Sequence, residues 1–346
     1  INNCASGSTP WGTYLTCEES TDNYIDPTQN ENGYGWVIEI DPLGELAALA
    51  TPVKHTAMGR FDHENTAYML NANNRMAFYM GDDSTPGGIY KFVPDGSYNP
   101  SNRAANATLL TQGKLYAAQF KPDGTGVWLL LDVATATTGG STLGALYGDL
   151  PGIILNTRGA GDAVGATPMD RPEWTTVNPL NGDVYLTLTN NSARTPEKVD
   201  AANPRGPNRH GHIIRWHDSD DHLSFTWDIF VFGANAAGTA DVNRSGLSEL
   251  NQFASPDGMS FDSRGVLWFE TDIGESTLTD YTYELLLEVI PTDLVDASGK
   301  QVPVNAQNQV DLRRFFVGPN ECEVTGIAFT PDNKTLFVNI QHPGNW

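Results

Sequence analysis

Cysteine is scarce in this chain of 346 residues, which contains only Cys4, Cys17 and Cys322. Three cysteines are too few for a disulfide scaffold, and an odd number leaves at least one thiol free or available as a metal ligand. Cys4 and Cys322 could form a disulfide, but their spacing does not decide whether they do.

Basic residues are also few, with 20 Lys and Arg against 42 Asp and Glu, which gives a net charge of −22. A nucleic-acid partner is therefore not expected, because a phosphate backbone needs a basic surface. Much of the acidic surplus can be accounted for as solvated surface. The rest could bind cations, which would relieve its self-repulsion.

Long apolar runs are missing as well: no stretch approaches the roughly 18 residues that a membrane span needs. Many short apolar runs are separated by Asn, Asp, Gly and Pro, including 34 Gly and 21 Pro, a pattern that favours an all-β fold. One short helix is predicted in residues 134–168. Since β-propellers often exceed the usual domain size, we expect residues 1–346 to form a single propeller domain. The chain starts at Ile1, without Met or a signal peptide, so localisation cannot be read from it directly.

Four hairpins of similar design can be aligned by their turns, at residues 64–83, 171–191, 257–272 and 322–342. Recurrent hairpins joined by large loops favour a β-propeller over a sandwich, with the first strand of each hairpin along the central channel. Residues 13–16 resemble the returning strand of such a hairpin. An antiparallel hairpin brings its last residue beside its first, so the strand ends should meet at one opening.

The alignment places chemically active side chains at that opening. Glu64, Arg171 and Glu323 share one position, and Glu173 and Asp257 share another, two residues further on. The returning strands add further donors, which are Cys17, Glu18, Asp82, Asp83, Asp272 and His342. Carboxylates packed this closely are costly unless cations bind between them. Oxygen ligands indicate Ca²⁺ or Mg²⁺, and a thiolate indicates iron or zinc as well. Polar capping of strand ends is the alternative explanation.

Arg171 and Glu173 stand out within this set because they lie two residues apart, just ahead of a short apolar strand. Side chains alternate along an extended chain, so the two point the same way. A guanidinium group suits an oxyanion such as phosphate, and a carboxylate suits a hard cation. A surface salt bridge at a strand end is the plainer interpretation.

Eight stretches together resemble the PhoX-type alkaline phosphatases across nearly the whole chain. They are TPWGTYLTCEE (9–19), GYGWVIEIDP (33–42), MGRFDHE (58–64), ATPMDRPEW (166–174), VYLTLTNN (184–191), SPDG (255–258), CEVTG (322–326) and NIQHPG (339–344). The resemblance implies a six-bladed β-propeller, secreted by the twin-arginine route to the periplasm or outside the cell. It also implies hydrolysis of phosphate monoesters at a ferric pair with several Ca²⁺ ions. We expect a monomer.

The resemblance also implies roles for four residues. Cys17 matches an iron-ligating thiolate, Glu64 an iron-ligating carboxylate, Arg171 a phosphate-binding arginine and Glu173 a metal-ligating carboxylate. The hairpin alignment adds Glu18, Asp257, Asp272 and Glu323 as further metal ligands.

This chain departs from the family pattern near its start. Family members carry a long segment before the NNC motif, which supplies part of a blade and a second phosphate-contacting arginine, and here only Ile1 precedes it. They also carry a longer insertion between CEE and GYGW, and they continue further beyond NIQHPG. We therefore expect either a partial propeller, incomplete at its N-terminus, or a different closure of the barrel.

Two other functions remain open at this point. One is a non-catalytic, calcium-stabilised propeller that serves as a binding module, with Arg171 in a structural ion pair. The other keeps the metals but acts on a different ester, as a phosphodiesterase or a calcium-dependent lactonase does. The sequence contains no Ser-His-Asp nucleophile elbow and no Gly-rich phosphate loop. His63 is predicted to be a packed core residue rather than a ligand.

Overall fold

A computed structural model describes residues 2–29, 33–273, 282–319 and 322–343. Its internal contacts divide the chain into two compact units. The first unit comprises Ile1–Phe120, Thr125–Met169 and Ser219–Phe225, and the second comprises Lys121–Gly124, Asp170–Asp218 and Thr226–Trp346. The single domain expected for residues 1–346 stays a prediction.

The first unit contains two sheets whose strands follow one another in chain order. The first sheet consists of β1 (Asn3–Ser8), β2 (Tyr14–Glu18), β3 (Val37–Ile40) and β4 (Val53–Lys54). The strands of the second are β5 (Ala67–Leu70), β6 (Met76–Gly81), β7 (Ile89–Pro94), β8 (Gly113–Phe120) and β9 (Thr125–Leu130). Neighbouring strands pair antiparallel throughout.

Four short helices belong to the same unit: α1 (Arg103–Asn106), α2 (Leu143–Tyr147), α3 (Leu150–Leu155) and α4 (Thr157–Val164). The prediction of one helix in residues 134–168 was therefore wrong, since three lie there. Side chains of Thr142 and Asp149 cap the N-termini of α2 and α3. Gly148 and Gly165 follow α2 and α4 with φ of 86° and 87°, which an L side chain rarely adopts. These closely spaced start and stop residues divide the segment.

A hydrophobic core that includes Leu15, Phe61 and Tyr90 fills the first unit. His63 has no exposed surface and stacks on Phe61 with ring centroids 3.6 Å apart. Its Nε2 lies 3.1 Å from the Gly59 carbonyl oxygen. Burial lowers the pKa of His63 to about 3, so the ring is neutral near pH 7. The prediction of a packed core histidine is confirmed.

The strands of the second unit fall into three groups of neighbouring strands, each in chain order. The first is β10 (Pro172–Val177), β11 (Val184–Leu188), β12 (His212–Asp218) and β13 (Ser224–Phe232), whose first two residues belong to the first unit. The second is β14 (Pro256–Phe261), β15 (Leu267–Thr271), β16 (Leu285–Val289) and β17 (Arg313–Val317). The third is β18 (Glu323–Phe329) with β19 (Leu336–Gln341). Two hydrophobic clusters, which include Phe253 and Phe269 in one and Trp268 and Val324 in the other, form its core.

All four predicted hairpins are confirmed, as the antiparallel pairs β5–β6, β10–β11, β14–β15 and β18–β19. Strand β2 pairs antiparallel with β1 and supplies a fifth hairpin, so the returning strand predicted at residues 13–16 is also confirmed. In three hairpins the residue just before the first strand has a positive φ: Asn2 (53°), Arg171 (52°) and Ser255 (49°). Each of these strands is therefore preceded by a residue in the left-handed backbone conformation, which is sparsely populated for non-glycine residues.

In the described part of the chain, the helices are all too short or too polar to span a bilayer.

Candidate functional site

Three metal-binding side chains converge in the first unit. The thiol of Cys4 and one carboxylate oxygen each from Glu19 and Glu64 lie within 4.8 Å of one another. The Cys4 Sγ donates a hydrogen bond to Glu64 Oε2 over 3.0 Å. Cys4 is exposed and Glu64 is buried, so the group is open on the sulfur side and enclosed on the side of Glu64.

The ends of three strands bring these residues together. Cys4 lies near the start of β1, Glu19 directly follows β2, and Glu64 precedes β5. The Ala5 amide donates to the Glu64 carbonyl (3.1 Å), and the Glu19 amide donates to the Asn2 carbonyl (3.0 Å). These backbone bonds fix the three segments side by side, so the cluster follows from strand pairing.

The approach of β1 to the segment that carries Glu64 depends on Gly7. A Cβ atom at Gly7 would lie 2.1 Å from the Thr66 carbonyl oxygen, a distance that no side chain tolerates. Glycine at this position therefore allows the two backbones to meet closely enough for Cys4 and Glu64 to interact.

A further oxygen donor is available from Asp83, which lies two residues after the end of β6 at Gly81. One Asp83 carboxylate oxygen lies within 4.8 Å of a Glu64 oxygen, and the Asp83 amide donates to the Asp62 carbonyl (3.0 Å). Asp82 points elsewhere: it has no exposed surface and accepts two hydrogen bonds from Arg158. Of the two adjacent aspartates, only Asp83 is placed to join the cluster.

Cys17 and Glu18, the thiol and carboxylate expected from the sequence, are placed differently. Cys17 has no exposed surface and belongs to the hydrophobic core with Leu15. Burial first, and then the charges of Glu64 and Glu18, raise the pKa of the Cys17 thiol far above its usual range. Both oxygens of Glu18 accept hydrogen bonds from Lys54 Nζ, at 2.9 and 3.0 Å. The converging thiol and carboxylate are those of Cys4 and Glu19 instead.

One signal in the sequence could have identified Cys4. If residues 13–16 form a returning strand, an incoming strand must precede them and its first residues must face the end of that strand. The structure has this register, with Asn3 opposite Glu18. Cys4 therefore lies at the start of the first strand of its hairpin. Glu64 and Arg171 lie shortly before the first strands of their own hairpins, β5 and β10.

In the second unit, Arg171 forms a 3.0 Å ion pair through a terminal guanidinium nitrogen with Glu173 Oε1. The Glu173 side chain is only 2% exposed, whereas that of Arg171 is 29% exposed. Arg171 can therefore meet a ligand from solvent while its partner fixes its orientation. Its φ of 52° lies in the left-handed region, where strain in non-glycine residues is often associated with functional sites.

A buried polar network holds the residue before Arg171. Asp170, which has no exposed surface, accepts hydrogen bonds from Arg194 Nε (2.6 Å), Asn191 Nδ2 (2.8 Å) and Asn208 Nδ2 (3.0 Å). Because every partner is itself buried, the network fixes this turn of the backbone. The strained conformation of Arg171 is thereby imposed by its surroundings.

The remaining predicted ligands also lie in the second unit. Burial, and to a smaller extent the charges of Asp272 and Glu323, raise the pKa of Glu284 to about 8. Glu323 and burial similarly raise the pKa of Glu270 to about 8. Neither Glu270 nor Glu284 was identified from the sequence, because each lies inside or next to an apolar strand. Asp257 is half-buried in β14.

The donor set of the first unit fits a metal ion chemically. One thiol and two or three carboxylates combine a soft ligand with hard oxygen ligands, which suits iron or zinc, and the oxygen donors suit Ca²⁺. The close approach of Glu64 to Glu19 and to Asp83 is costly without a neutralising cation. The residues present therefore agree with a metal-dependent site.

Comparisons with known proteins agree with these features. A sequence profile described as alkaline phosphatase PhoX matches residues 1–344. A solved structure of Pseudomonas fluorescens PhoX, in complex with the transition-state analogue vanadate, is 38% identical with a TM-score of 0.82. That match covers 99% of this chain and 65% of the solved chain, so this chain spans less than two thirds of its relative. A Trichoderma reesei enzyme of carbohydrate-active family AA12 matches at 11% identity and a TM-score of 0.37, over 99% of this chain and 91% of that one, too weakly to support an argument. We found no match among curated proteins.

The structural match confirms the all-β, propeller-type fold predicted from the sequence. The number of six blades stays a prediction.

Proposed function

Because the chain belongs to the PhoX alkaline phosphatase family, whose members are metal-dependent, we propose that it hydrolyses phosphate monoesters to release inorganic phosphate. The observation that carries this proposal is the 38% identity to Pseudomonas fluorescens PhoX over 99% of the chain. That relative binds vanadate as a transition-state analogue. The proposed substrates are small-molecule phosphate esters, in the periplasm or outside the cell.

Cys4, Glu19 and Glu64, with Asp83, are the residues that would hold metal in the first unit. We assign the thiolate role to Cys4 rather than Cys17, on the convergence of its sulfur with two carboxylates. The metals proposed are a ferric pair with several Ca²⁺ ions. When bound, such ions supply positive charge that stabilises the phosphoryl oxygens as charge redistributes in the transition state.

Arg171 binds the phosphate group in this proposal. Its guanidinium group offers donors in the fork geometry that matches phosphate oxygens, and Glu173 orients it through their 3.0 Å ion pair. The network around Asp170 keeps the backbone at Arg171 in place before substrate binds, so little reorganisation is needed during the reaction. Glu173, Asp257, Asp272 and Glu323 remain proposed metal ligands.

The test is the variant Arg171→Ala, assayed on a chromogenic phosphate monoester. We expect kcat/KM to fall by about 100- to 1000-fold, the usual cost of removing one donor to a developing oxyanion. The metal content should be unchanged. Arg264→Ala is the matched control, because Arg264 also pairs with a carboxylate, Asp262, at 2.5 Å, but its side chain is 61% exposed at a turn. If Arg171→Ala keeps turnover within a few-fold of the parent chain, the assignment is wrong.

A second candidate is a calcium-stabilised propeller that binds ligands without catalysis. The 3.0 Å Arg171–Glu173 ion pair favours it, because an arginine used only in a structural salt bridge would have such a partner. Elemental analysis separates the two functions: iron with calcium supports the phosphatase, and calcium alone supports the binding module. A panel with a phosphodiester and a lactone then distinguishes phosphodiesterase and lactonase activities from monoester hydrolysis.

A further inference from the structure

The guanidinium group of Arg158 in helix α4 bonds to residues that are close in sequence to the proposed metal ligands Glu64 and Asp83. Arg158 donates through Nε to Asp82 Oδ2 (2.8 Å) and through a terminal nitrogen to Asp82 Oδ1 (2.6 Å). The same terminal nitrogen donates to Asp62 Oδ2 over 3.0 Å. Asp82 has no exposed surface. One guanidinium group thus holds two carboxylates.

Both aspartates belong to the segments that carry the cluster. Asp82 immediately precedes Asp83, and Asp62 lies two residues before Glu64. The Asp62 amide donates to Asp82 Oδ1 over 3.3 Å, which ties the two segments to each other. Arg158 therefore fixes the backbone on both sides of Glu64 and Asp83.

The segment that carries Glu19, the third oxygen donor, also bonds to Asp62. Asp62 Oδ1 accepts a hydrogen bond from the Thr21 amide over 3.2 Å, two residues beyond Glu19. The His63 amide donates to the Glu18 carbonyl over 3.0 Å, immediately before Glu19. Asp62 and Asp82 therefore bond to groups that lie within two residues of every oxygen donor, which are Glu19, Glu64 and Asp83.

The helix that carries Arg158 is itself anchored. The Arg60 amide donates to Thr157 Oγ1 over 3.0 Å, and Thr157 is fully buried. Gly59 leaves room for this contact, since a Cβ there would lie 3.1 Å from the same hydroxyl oxygen. The guanidinium group thus projects from a fixed point rather than from a free loop.

We propose that Arg158 is the positioning residue that holds Glu19 and Asp83 each close to Glu64 for metal binding. The inference rests on the metal-binding part of the proposed function. Removing Arg158 would leave the carboxylates of Asp62 and Asp82 uncompensated, next to three others. Their mutual repulsion would separate the segments that the metal has to bring together.

The experiment measures Ca²⁺ affinity of the metal-free 346-residue chain by calorimetric titration, together with the free energy of unfolding of each variant. For Arg158→Gln we expect Ca²⁺ binding about 10- to 100-fold weaker, the range found when residues that orient metal ligands are replaced. Arg158→Lys keeps the charge but loses the fork, so its affinity should lie between those of the parent chain and Arg158→Gln.

Arg103→Gln is the matched control. Arg103 donates to Asp41 Oδ1 over 2.6 Å in the same unit, and no cluster donor bonds to either residue among the described contacts. The Arg103→Gln variant should lose about as much stability as Arg158→Gln while keeping the Ca²⁺ affinity of the parent chain. The inference is overturned if Arg158→Gln binds Ca²⁺ within twofold of the parent chain, if Arg103→Gln weakens binding equally, or if the parent chain binds no Ca²⁺. A phosphatase assay on the parent chain is scored separately, so inactivity with weakened Ca²⁺ binding in Arg158→Gln refutes the proposed activity alone.

Discussion

The two cysteines of the first hairpin offer a direct test of which sulfur serves the metal centre. Cys4 and Cys17 lie on paired strands, yet only the Cys4 thiol converges with Glu19 and Glu64. We expect Cys4→Ser to lower ferric iron affinity by roughly 100-fold or more, because loss of a ligand costs at least as much as loss of a residue that orients one. Since Cys4 is exposed, its replacement should change the unfolding free energy of the metal-free chain by less than about 0.5 kcal/mol.

Cys17→Ser should have the opposite profile. Cys17 has no exposed surface and lies in the hydrophobic core, where a serine hydroxyl would need a hydrogen-bond partner. Burying a hydroxyl without one costs about 1 to 3 kcal/mol of stability. The thiol of Cys17 is held neutral by burial and by the charges of Glu64 and Glu18. The iron content of Cys17→Ser should therefore be close to that of the parent chain.

The assay combines elemental analysis, the visible charge-transfer band from thiolate to ferric iron, and denaturant unfolding. Loss of the band in Cys4→Ser and its retention in Cys17→Ser would support the side-chain placement. Iron and band lost in Cys17→Ser but retained in Cys4→Ser, with both variants folded, would refute it. The original motif-based assignment of Cys17 would then be restored.

Three further predictions concern stability. His212 is fully buried, and burial lowers its pKa to about 3. Neutral His212 therefore contributes stability that is complete above pH 6.5 and is lost as the pH falls toward 3. In His212→Gln, the unfolding free energy should fall by up to about 4 kcal/mol less over this pH range than in the parent chain, as measured by unfolding titrations. Unchanged acid sensitivity would contradict the burial argument. Gly7→Ala should destabilise the chain by about 1 to 3 kcal/mol and weaken metal binding, because its Cβ would lie 2.1 Å from the Thr66 carbonyl oxygen. Asp170→Asn should cost about 3 kcal/mol in denaturant unfolding, since it leaves the buried Arg194 guanidinium without its closest carboxylate. A neutral effect would mean that Asp200, whose Oδ2 lies 3.6 Å from a terminal nitrogen of Arg194, replaces it.

The hairpins could be predicted because turn chemistry and alternation are local. Asn181-Gly182 and Arg264-Gly265 mark turns that the structure confirms between β10 and β11 and between β14 and β15. Strand β1 was missed because its sequence, NCASGS, has little apolar alternation. It becomes a strand by pairing with β2 and by backbone bonds to the Glu64 segment, which are tertiary contacts that local propensity does not encode.

The residues of the candidate site divide in the same way. Glu64, Arg171 and Glu173 could be identified because they lie at aligned positions of recurrent hairpins. Arg158 could not, since its partners Asp62 and Asp82 are 96 and 76 residues away in sequence. No local pattern predicts such a pairing, and only the packing of α4 brings the guanidinium group to the cluster.

In both units, the same kind of aspartate–arginine contact lies next to a residue of the proposed site. In each, a fully buried aspartate is bonded to an arginine: Asp82 to Arg158 and Asp170 to Arg194. Each aspartate immediately precedes a residue of the proposed chemistry, Asp83 in one case and Arg171 in the other. Ion pairs with a buried carboxylate add little net stability, because desolvation offsets most of their attraction. An apolar pair could stabilise these positions as well, but it could not fix the direction of the following side chain through several hydrogen bonds. We therefore infer that both pairs serve to orient the metal-binding and anion-binding residues.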